Sequence, residues 1–287
     1  MSRFIDEIRE FLENNGFECS VQIRNDLDVI CTSTANSRRP RTVIPLSVNS
    51  HSPEAASEYS DLAYDTISFI RHMEGVPLII TEDRWTRQRE MMESRLLAHL
   101  ELFATAYARN CEVRRIDRHE AESFLKACHS YGYAACRYRY GMFLKRNTGS
   151  ISTMNGIDAG TLVAVSTFSS ARKWNKEGKV ISSYEWTRYA TLPFLRVCGG
   201  MSKMLKAFIQ DVNPDDIMSY ADLEWSEGKA YKEAGFRYDG WKDPVMFIID
   251  DDWNRIPVRR SPDLTGIHRY FRNFGSSKFR MKLTDYK

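Results

Sequence analysis

No stretch of this 287-residue chain approaches the ~20 consecutive apolar residues that a membrane-spanning helix needs. Its first residues, Met1 to Glu7, carry no apolar run of the signal-peptide kind. Cysteine is sparse: Cys19, Cys31, Cys111, Cys128, Cys136 and Cys198 include no Cys-x-x-Cys pair. That spacing suggests neither a zinc knuckle nor a disulfide framework, so reduced thiols, a cytoplasmic location and no metal are expected. There is no internal repeat and no long low-complexity segment. Charge of one sign is also lacking overall, since 41 Lys and Arg meet 38 Asp and Glu for a net +3.

What is present suits a soluble globular chain long enough for two modest cores, with 43% hydrophobic and 28% charged residues. Residues 2–15 pattern as an amphipathic helix with Phe4, Ile5, Ile8, Phe11 and Leu12 on one face. Phe17 to Cys31 alternates as one or two strands, and a Ser-, Arg- and Pro-containing loop from Ser33 to Arg41 precedes a strand at Thr42–Ile44. A helix is expected over Asp61–Met73, a buried strand over Val76–Thr81 and a long helix over Glu82–Phe103. A second unit then reads strand (111–116), helix (119–129), strands (139–144, 161–169, 181–190), helix (200–212), strand (217–221), helix (226–234) and strand (244–250). Lys145–Gly160 reads as a hairpin-like loop.

Ile181 to Phe236 is the most informative stretch. It runs strand, Gly199-Gly200 turn, amphipathic helix, strand, then a short helix closing on Gly235-Phe236. A Gly-Gly turn ahead of a helix leaves backbone N–H groups at the positive end of the helix dipole, where a pyrophosphate or carboxylate can sit. The order resembles the core of the GNAT acyltransferase superfamily, whose Arg/Gln-x-x-Gly-x-Gly/Ala turn holds the coenzyme A pyrophosphate. Arg196 and Gly199 fit that turn, and Met201 stands where the last small residue belongs. The resemblance implies a mixed α/β fold with a largely antiparallel sheet and flanking helices, with Arg196, Gly199, Gly200, Ser202 and Lys203 at the donor, acetyl-CoA or another acyl carrier.

Tyr107–Ile116 with Glu120–Leu125 and His129–Tyr133, Tyr184–Tyr189 with Val197–Lys203, and Ser219–Asp222 with Trp225–Phe236 together resemble a phage-associated, homing-endonuclease-like family. In that family a Vsr-like, restriction-endonuclease-like domain precedes a GNAT-like domain. The likeness covers about residues 76–250. The Glu-x-x-Arg and Tyr-x-Asp pieces are also similar to the Mom DNA-modification proteins, which alter a base amine in DNA. By that resemblance Glu185, Arg188, Tyr220 and Asp222 are candidate catalytic residues, and Tyr231 matches the tyrosine that GNAT enzymes use as general acid. The Vsr-like pattern keeps Asp28 in Leu27–Ile30, but Pro45 stands where its second carboxylate belongs. One carboxylate cannot hold a divalent ion for phosphodiester hydrolysis; Glu54, Glu58 and His51 lie off the strand. The N-terminal domain therefore reads as a degenerate docking module without nuclease activity.

Each candidate also has a plainer reading. Asp222 suits a helix cap as well as an amine-orienting carboxylate. Glu185 and Arg188, three residues apart on a strand, face opposite sides unless a bulge intervenes. Gly199-Gly200 can simply turn the chain, and Tyr231 can simply pack. From Arg259 to Lys287, Arg259, Arg260, Arg269, Arg272, Lys278 and Arg280 are interleaved with Tyr270, Phe271, Phe274 and Phe279. That mixture suits phosphate contact with base stacking, or a solvated tail whose aromatics pack back. The expected organisation is a degenerate Vsr-like module (1–104), a GNAT-like domain (105–254) and a basic aromatic tail (255–287). The leading expectation is a GNAT-fold group transferase acting on a base amine in DNA. The alternatives are a non-catalytic DNA-binding protein and a coenzyme A-dependent acetyltransferase for a small-molecule or protein amine.

Overall fold

The computed structural model describes residues 2–33, 41–149, 155–176, 178–260 and 268–285. The Ser/Arg/Pro loop expected at 33–41 and the middle of the 145–160 loop lie largely outside the described residues. In chain order the elements are α1 (Arg3–Asn14), β1 (Glu18–Arg24), β2 (Leu27–Ser33), β3 (Arg41–Leu46), α2 (Pro53–Met73), β4 (Leu78–Thr81), α3 (Glu82–Arg87) and α4 (Arg89–His99). There follow β5 (Ala104–Tyr107), β6 (Cys111–Arg115), α5 (Arg118–Cys128), β7 (Tyr138–Leu144), β8 (Leu162–Phe168), β9 (Arg172–Lys176), β10 (Lys179–Thr191) and β11 (Leu195–Cys198). The remainder are α6 (Gly200–Val212), β12 (Asp216–Asp222), α7 (Lys229–Glu233), β13 (Arg237–Lys242), β14 (Met246–Ile249), β15 (Arg255–Pro257), β16 (Arg269–Arg272) and β17 (Ser276–Lys282).

The chain divides into two compact units. Unit 1 combines Met1–Leu100, Asp222–Trp225 and Lys242–Ser276; unit 2 combines Glu101–Ala221, Ser226–Trp241 and Ser277–Lys287. The tail expected over 255–287 is therefore not one segment appended to a finished domain. β16 pairs with β14 in unit 1, and β17 lies between β13 and β12 in the large sheet of unit 2. The aromatics decide this: Phe271, Phe274 and Phe279 are buried, and burying each contributes more than leaving it in water beside its charged neighbours.

Unit 1 has a four-stranded sheet in the order β1-β2-β3-β4, antiparallel except for the parallel pair β3–β4. Ser52 caps α2 by accepting from the Ala55 N–H at 3.1 Å, with Pro53 in the first turn. Ala63, Ile67 and Ile70 of that helix pack in one cluster with Val29, Ile44 and Leu46 of the sheet. The long helix expected from Glu82 is broken at Gln88, whose φ of −121° and ψ of 45° leave the helical region. Each half buries its own stripe, Asp83, Arg84 and Trp85 in α3, and Met92, Leu96 and Leu97 in α4.

The buried face of α3 is ionic. Arg255 of β15 meets Asp83 at 2.5 Å and Glu224 at 2.7 Å, all three nearly inaccessible to water. Arg84 lies 3.4 Å from Glu224 and 3.7 Å from Asp222. Arg95 donates to the carbonyls of Ile79 and Glu224 and lies 4.1 Å from the Trp225 ring centre. Burial, reinforced by the like charge of Arg84, brings the Arg95 pKa down to about 9. Burial opposes ionisation of Asp83, but Arg255 overrides it and the net shift is downward.

Unit 2 is built on the strand order β13-β17-β12-β10-β8-β7-β6, with β9 added to the start of β10. The pairs β6–β7, β7–β8, β8–β10 and β9–β10 are antiparallel, and β10–β12 is parallel. This is the mixed, largely antiparallel sheet with flanking helices expected of a GNAT-like fold. Asp117 and Glu120 form a reciprocal capping box at the start of α5. Phe208 of α6 stacks on Phe168 of β8 at 3.8 Å, ringed edge-on by Tyr138, Tyr140 and Tyr184.

Two outcomes test the ionic core of unit 1. Arg255→Ala takes from buried Asp83 its bonded guanidinium and leaves Glu224 with Arg84 alone; it is expected to cost about 3–5 kcal/mol, read as lost amide protection in β4 and α3 by hydrogen exchange, and unchanged protection would show that the network does not hold these elements. Because the folded-state pKa of Asp83 lies below its unfolded value, the unfolded chain takes up the proton first. This contribution is complete above the ordinary carboxylate value of 3.8 and is lost as pH falls through the lowered folded value. An Asp83→Asn variant should show a weaker loss of stability on acidification across that window.

Candidate active site

Strand β10 organises the site. It pairs with β12 only from Ser183–Asp216 to Glu185–Met218. On its other edge it pairs with β8, with a register shift between Trp186 and Arg188. That irregularity is the bulge on which the joint use of Glu185 and Arg188 depended: the extra residue lets two side chains three apart turn toward one another. Glu185 acts electrostatically on Arg188, partly offsetting the lowering that burial imposes on the guanidinium. Arg188 Nε donates to the Gly132 carbonyl at 3.0 Å and Nη1 to the Thr187 carbonyl at 2.8 Å. The segment following α5 is thereby tied to the bulge.

Beyond the bulge the paired part of β12 ends, and side chains take over. The Ser219 hydroxyl donates to the Trp186 carbonyl at 2.9 Å and lies 2.9 Å from the Tyr231 hydroxyl. The Trp186 indole N–H donates to the Arg188 carbonyl at 3.1 Å. Tyr231 stacks on Phe279 and meets Trp186 and Phe236 edge-on. Burial raises its phenol above the ordinary range, against the Ser219 hydrogen bond and the charge of Arg188. The phenol therefore keeps its proton at neutral pH, while the upward shift makes it a weaker acid.

The turn before α6 has a physical reason for both glycines. Gly199 has φ +76°, a conformation that strains residues with a side chain. At Gly200 a Cβ would stand 2.5 Å from the Tyr189 hydroxyl oxygen and 3.1 Å from Val197. No side chain caps this helix, so its first N–H groups have no partner within the helix. Arg196 and Ser202 beside them are exposed, with Arg196 lying 5.4 Å from the Phe103 ring centre. These residues fit the anionic end of an acyl carrier. Met201, half-buried, packs on the unit 2 core.

Other expected site residues are engaged elsewhere. Lys203 Nζ donates to the carbonyls of Ala108 at 2.8 Å and Cys111 at 2.5 Å, so its ammonium serves the chain before β6. Asp222 belongs to unit 1: its Oδ1 accepts from the Glu224 N–H at 2.9 Å and its other oxygen faces Arg84. This turn-and-ion-pair role occupies the carboxylate expected to handle the amine. Tyr220 alternates to the strand face opposite Ser219 and is half-buried.

Four of the six basic residues expected in the tail are engaged as well. Arg269 donates to the Asp250 carbonyl at 2.8 Å and lies over Trp253; Arg272 meets Asp61 at 2.7 Å. Lys278 and Arg280 share Asp239, and Arg280 also reaches Asp216 at 2.8 Å. Arg259 is exposed in the turn Val258–Arg260; the side chain of Arg260 lies outside the described residues. Sequence reasoning missed Ser219, which bridges β10 and Tyr231; only its place at the start of the Tyr-x-Asp strand end marked it. Among the described residues no three His, Cys, Asp or Glu side chains gather to hold a metal, and no helix is long and apolar enough to cross a membrane.

No protein-family model matches the sequence, and no curated protein matches it. Among solved structures, the chain is similar to one from the NatC complex bound to Gag peptide and CoA, at 14% identity and a TM-score of 0.36, covering 61% of this chain and 99% of that one. It is similar to an acetyltransferase from Bacillus subtilis in complex with CoA, at 12% identity and a TM-score of 0.35, with 61% and 99% covered. A variant of the spermidine N-acetyltransferase from Vibrio cholerae is matched at 12% identity and a TM-score of 0.35, with 61% and 94% covered. Likenesses of this size carry no argument about chemistry, and the reading of unit 2 rests on its own strand order, bulge and turn.

The glycine turn yields a direct test. Gly200→Ala is expected to cost about 1–3 kcal/mol by overpacking, measured as a fall in thermal midpoint. Tyr189→Phe, which removes the crowding oxygen, should recover part of that loss in the double variant. Additive losses would show that the collision is relieved some other way.

Proposed function

We propose that unit 2 is a group transferase of the GNAT type that takes an acyl group from a coenzyme A carrier and places it on an amine. The observation that carries this reading is the bulge in β10, where pairing with β12 stops and the strand leads on to an uncapped helix N-terminus. Gly199, Gly200, Ser202 and Arg196 would hold the anionic end of the carrier, which supplies the acyl group as a thioester. Glu185 would orient the amine or receive its proton, Arg188 would fix the acceptor side through Gly132, and Tyr231 would protonate the leaving sulfur.

The finer proposal is that the amine belongs to a base in nucleic acid, as the similarity to DNA-modifying proteins implies. Unit 1 then serves as a docking module of degenerate nuclease type, a reading supported by Asp28 on β2 facing a β3 with Pro45 in place of a carboxylate. A second reading, binding without transfer, is favoured by one observation. The Arg188 donors and the Tyr231 hydroxyl already have protein partners.

Calorimetry with acetyl-CoA separates the two. Transfer predicts binding by the intact protein that Arg196→Ala weakens about 10-fold, one charge-assisted contact being worth about 1.5 kcal/mol. Nucleosides from cells expressing the protein should carry an adduct that Tyr231→Phe diminishes. Absence of both carrier binding and adduct selects the non-catalytic reading.

A further inference from the structure

The hairpin formed by β9 and the start of β10 carries exposed cations and an exposed indole. Its register runs from Lys179–Lys176 to Ser183–Arg172. Alternation places Arg172 and Trp174 on the face of Ser183 and Ile181, and Lys173 and Asn175 on the face of Ser182 and Val180. Arg172, Lys173, Trp174, Asn175, Lys179 and Val180 are all exposed. Among the described residues Arg172 and Lys173 make no ion pair, while Lys179 acts on Asp215. Arg272, Lys278 and Arg280 have their charges answered by Asp61, Asp216 and Asp239; the hairpin directs its own outward.

The indole of Trp174 is held as well as exposed. Arg280, locked by Asp216 and Asp239, sits 5.2 Å from the centre of its ring. Such a contact attracts the cation to the ring without burying it, and the residue keeps 36% of its surface.

We propose that this hairpin is a nucleic-acid contact of the protein. The unpaired cations supply phosphate contacts, and the held indole supplies a stacking surface. A two-stranded ribbon also has the width that the major groove admits. A lipid surface fits less well, because Trp174 and the exposed Val180 fall on opposite faces of the ribbon and offer no single apolar side to insert.

A ligand that engaged both the hairpin and the bulge would have to be long. Ser169 and Glu185 exchange hydrogen bonds at 2.9 Å, so the root of the hairpin adjoins the β10 bulge. From Lys179 to Arg188 the strand runs for about 30 Å at ~3.3 Å per residue. A nucleic acid has that reach and a nucleotide does not. The inference deepens the nucleic-acid part of the proposed function and rests on that part, not on the transfer chemistry.

Fluorescence anisotropy on the full chain tests it, with a labelled duplex of about 30 base pairs and a single strand of equal length, across roughly 50–200 mM NaCl. The double variant Arg172→Ala/Lys173→Ala is expected to weaken duplex binding about 10-fold or more and to reduce the salt slope by about 2, one unit for each lost phosphate contact. Trp174→Ala should weaken the single strand more than the duplex. Unchanged affinity and slope in the double variant, with an unchanged circular dichroism melt, would overturn the proposal, as would absence of binding by the unaltered protein. Competition by poly-glutamate as effective as by DNA of equal charge would reassign the hairpin to acidic polypeptides and overturn it too. Acetyl-CoA binding measured on the same preparations should be untouched by the hairpin substitutions; its absence in every preparation removes the donor and leaves the hairpin result standing.

Discussion

A guanidinium taken out of water must be met by carboxylates or it destabilises whatever buries it. In unit 1 this requirement decides which pieces of chain are neighbours. Arg255 arrives from β15, Asp83 from α3, and Glu224 from the short stretch after β12. Arg255 bonds both carboxylates and Arg84 adds a second cation beside Glu224, so three segments distant in sequence are tied together. The apolar cluster of α2 on the sheet supplies bulk stabilisation, but an apolar contact accepts many partners. The charge set accepts one arrangement, and it consumes Asp222 and Arg84 along the way.

Unit 2 shows the complementary case, in which the backbone creates an opening and side chains partly fill it. The bulge at Trp186 and Arg188 ends regular pairing, and the Ser219 hydroxyl and Trp186 indole bond to carbonyls of the strand. The same bulge brings Glu185 to bear on Arg188 and roots the segment around Gly132. Chemistry and structure thus draw on the same few groups. The proposed transfer and the simple filling of a gap differ in whether a carrier competes for those contacts, not in which residues make them.

Much of this was legible in the residues. The helix over 200–212 emerged at its observed bounds because an apolar face of helical period follows a glycine turn, and both signals are local. The main strands of unit 2 up to β12 were legible for the same reason, but the short β5, β9 and β11 were not, being four or five residues long with little alternation of their own. β17 was not, because Ser276–Lys282 interleaves cations with aromatics. That pattern looks alike in a polar tail and in a strand whose charges are answered by Asp216 and Asp239 from elsewhere. At Asp222 the sequence left an amine-orienting carboxylate and a cap side by side, and the neighbour Arg84, far away in sequence, was not visible in either. The outward charges of Arg172 and Lys173 were visible as letters, but only the register of the hairpin separates them from cations already paired.

The placement of β17 between β12 and β13 bears on how the protein is made. A ribosome adds residues at about 5–20 per second, and residues 223–275 must emerge between the end of β12 and the start of β17. Through that interval the flank of β12 that β17 will cover has no strand against it, an edge of the kind that other chains can pair with. Synthesis paused within the interval would prolong that exposure.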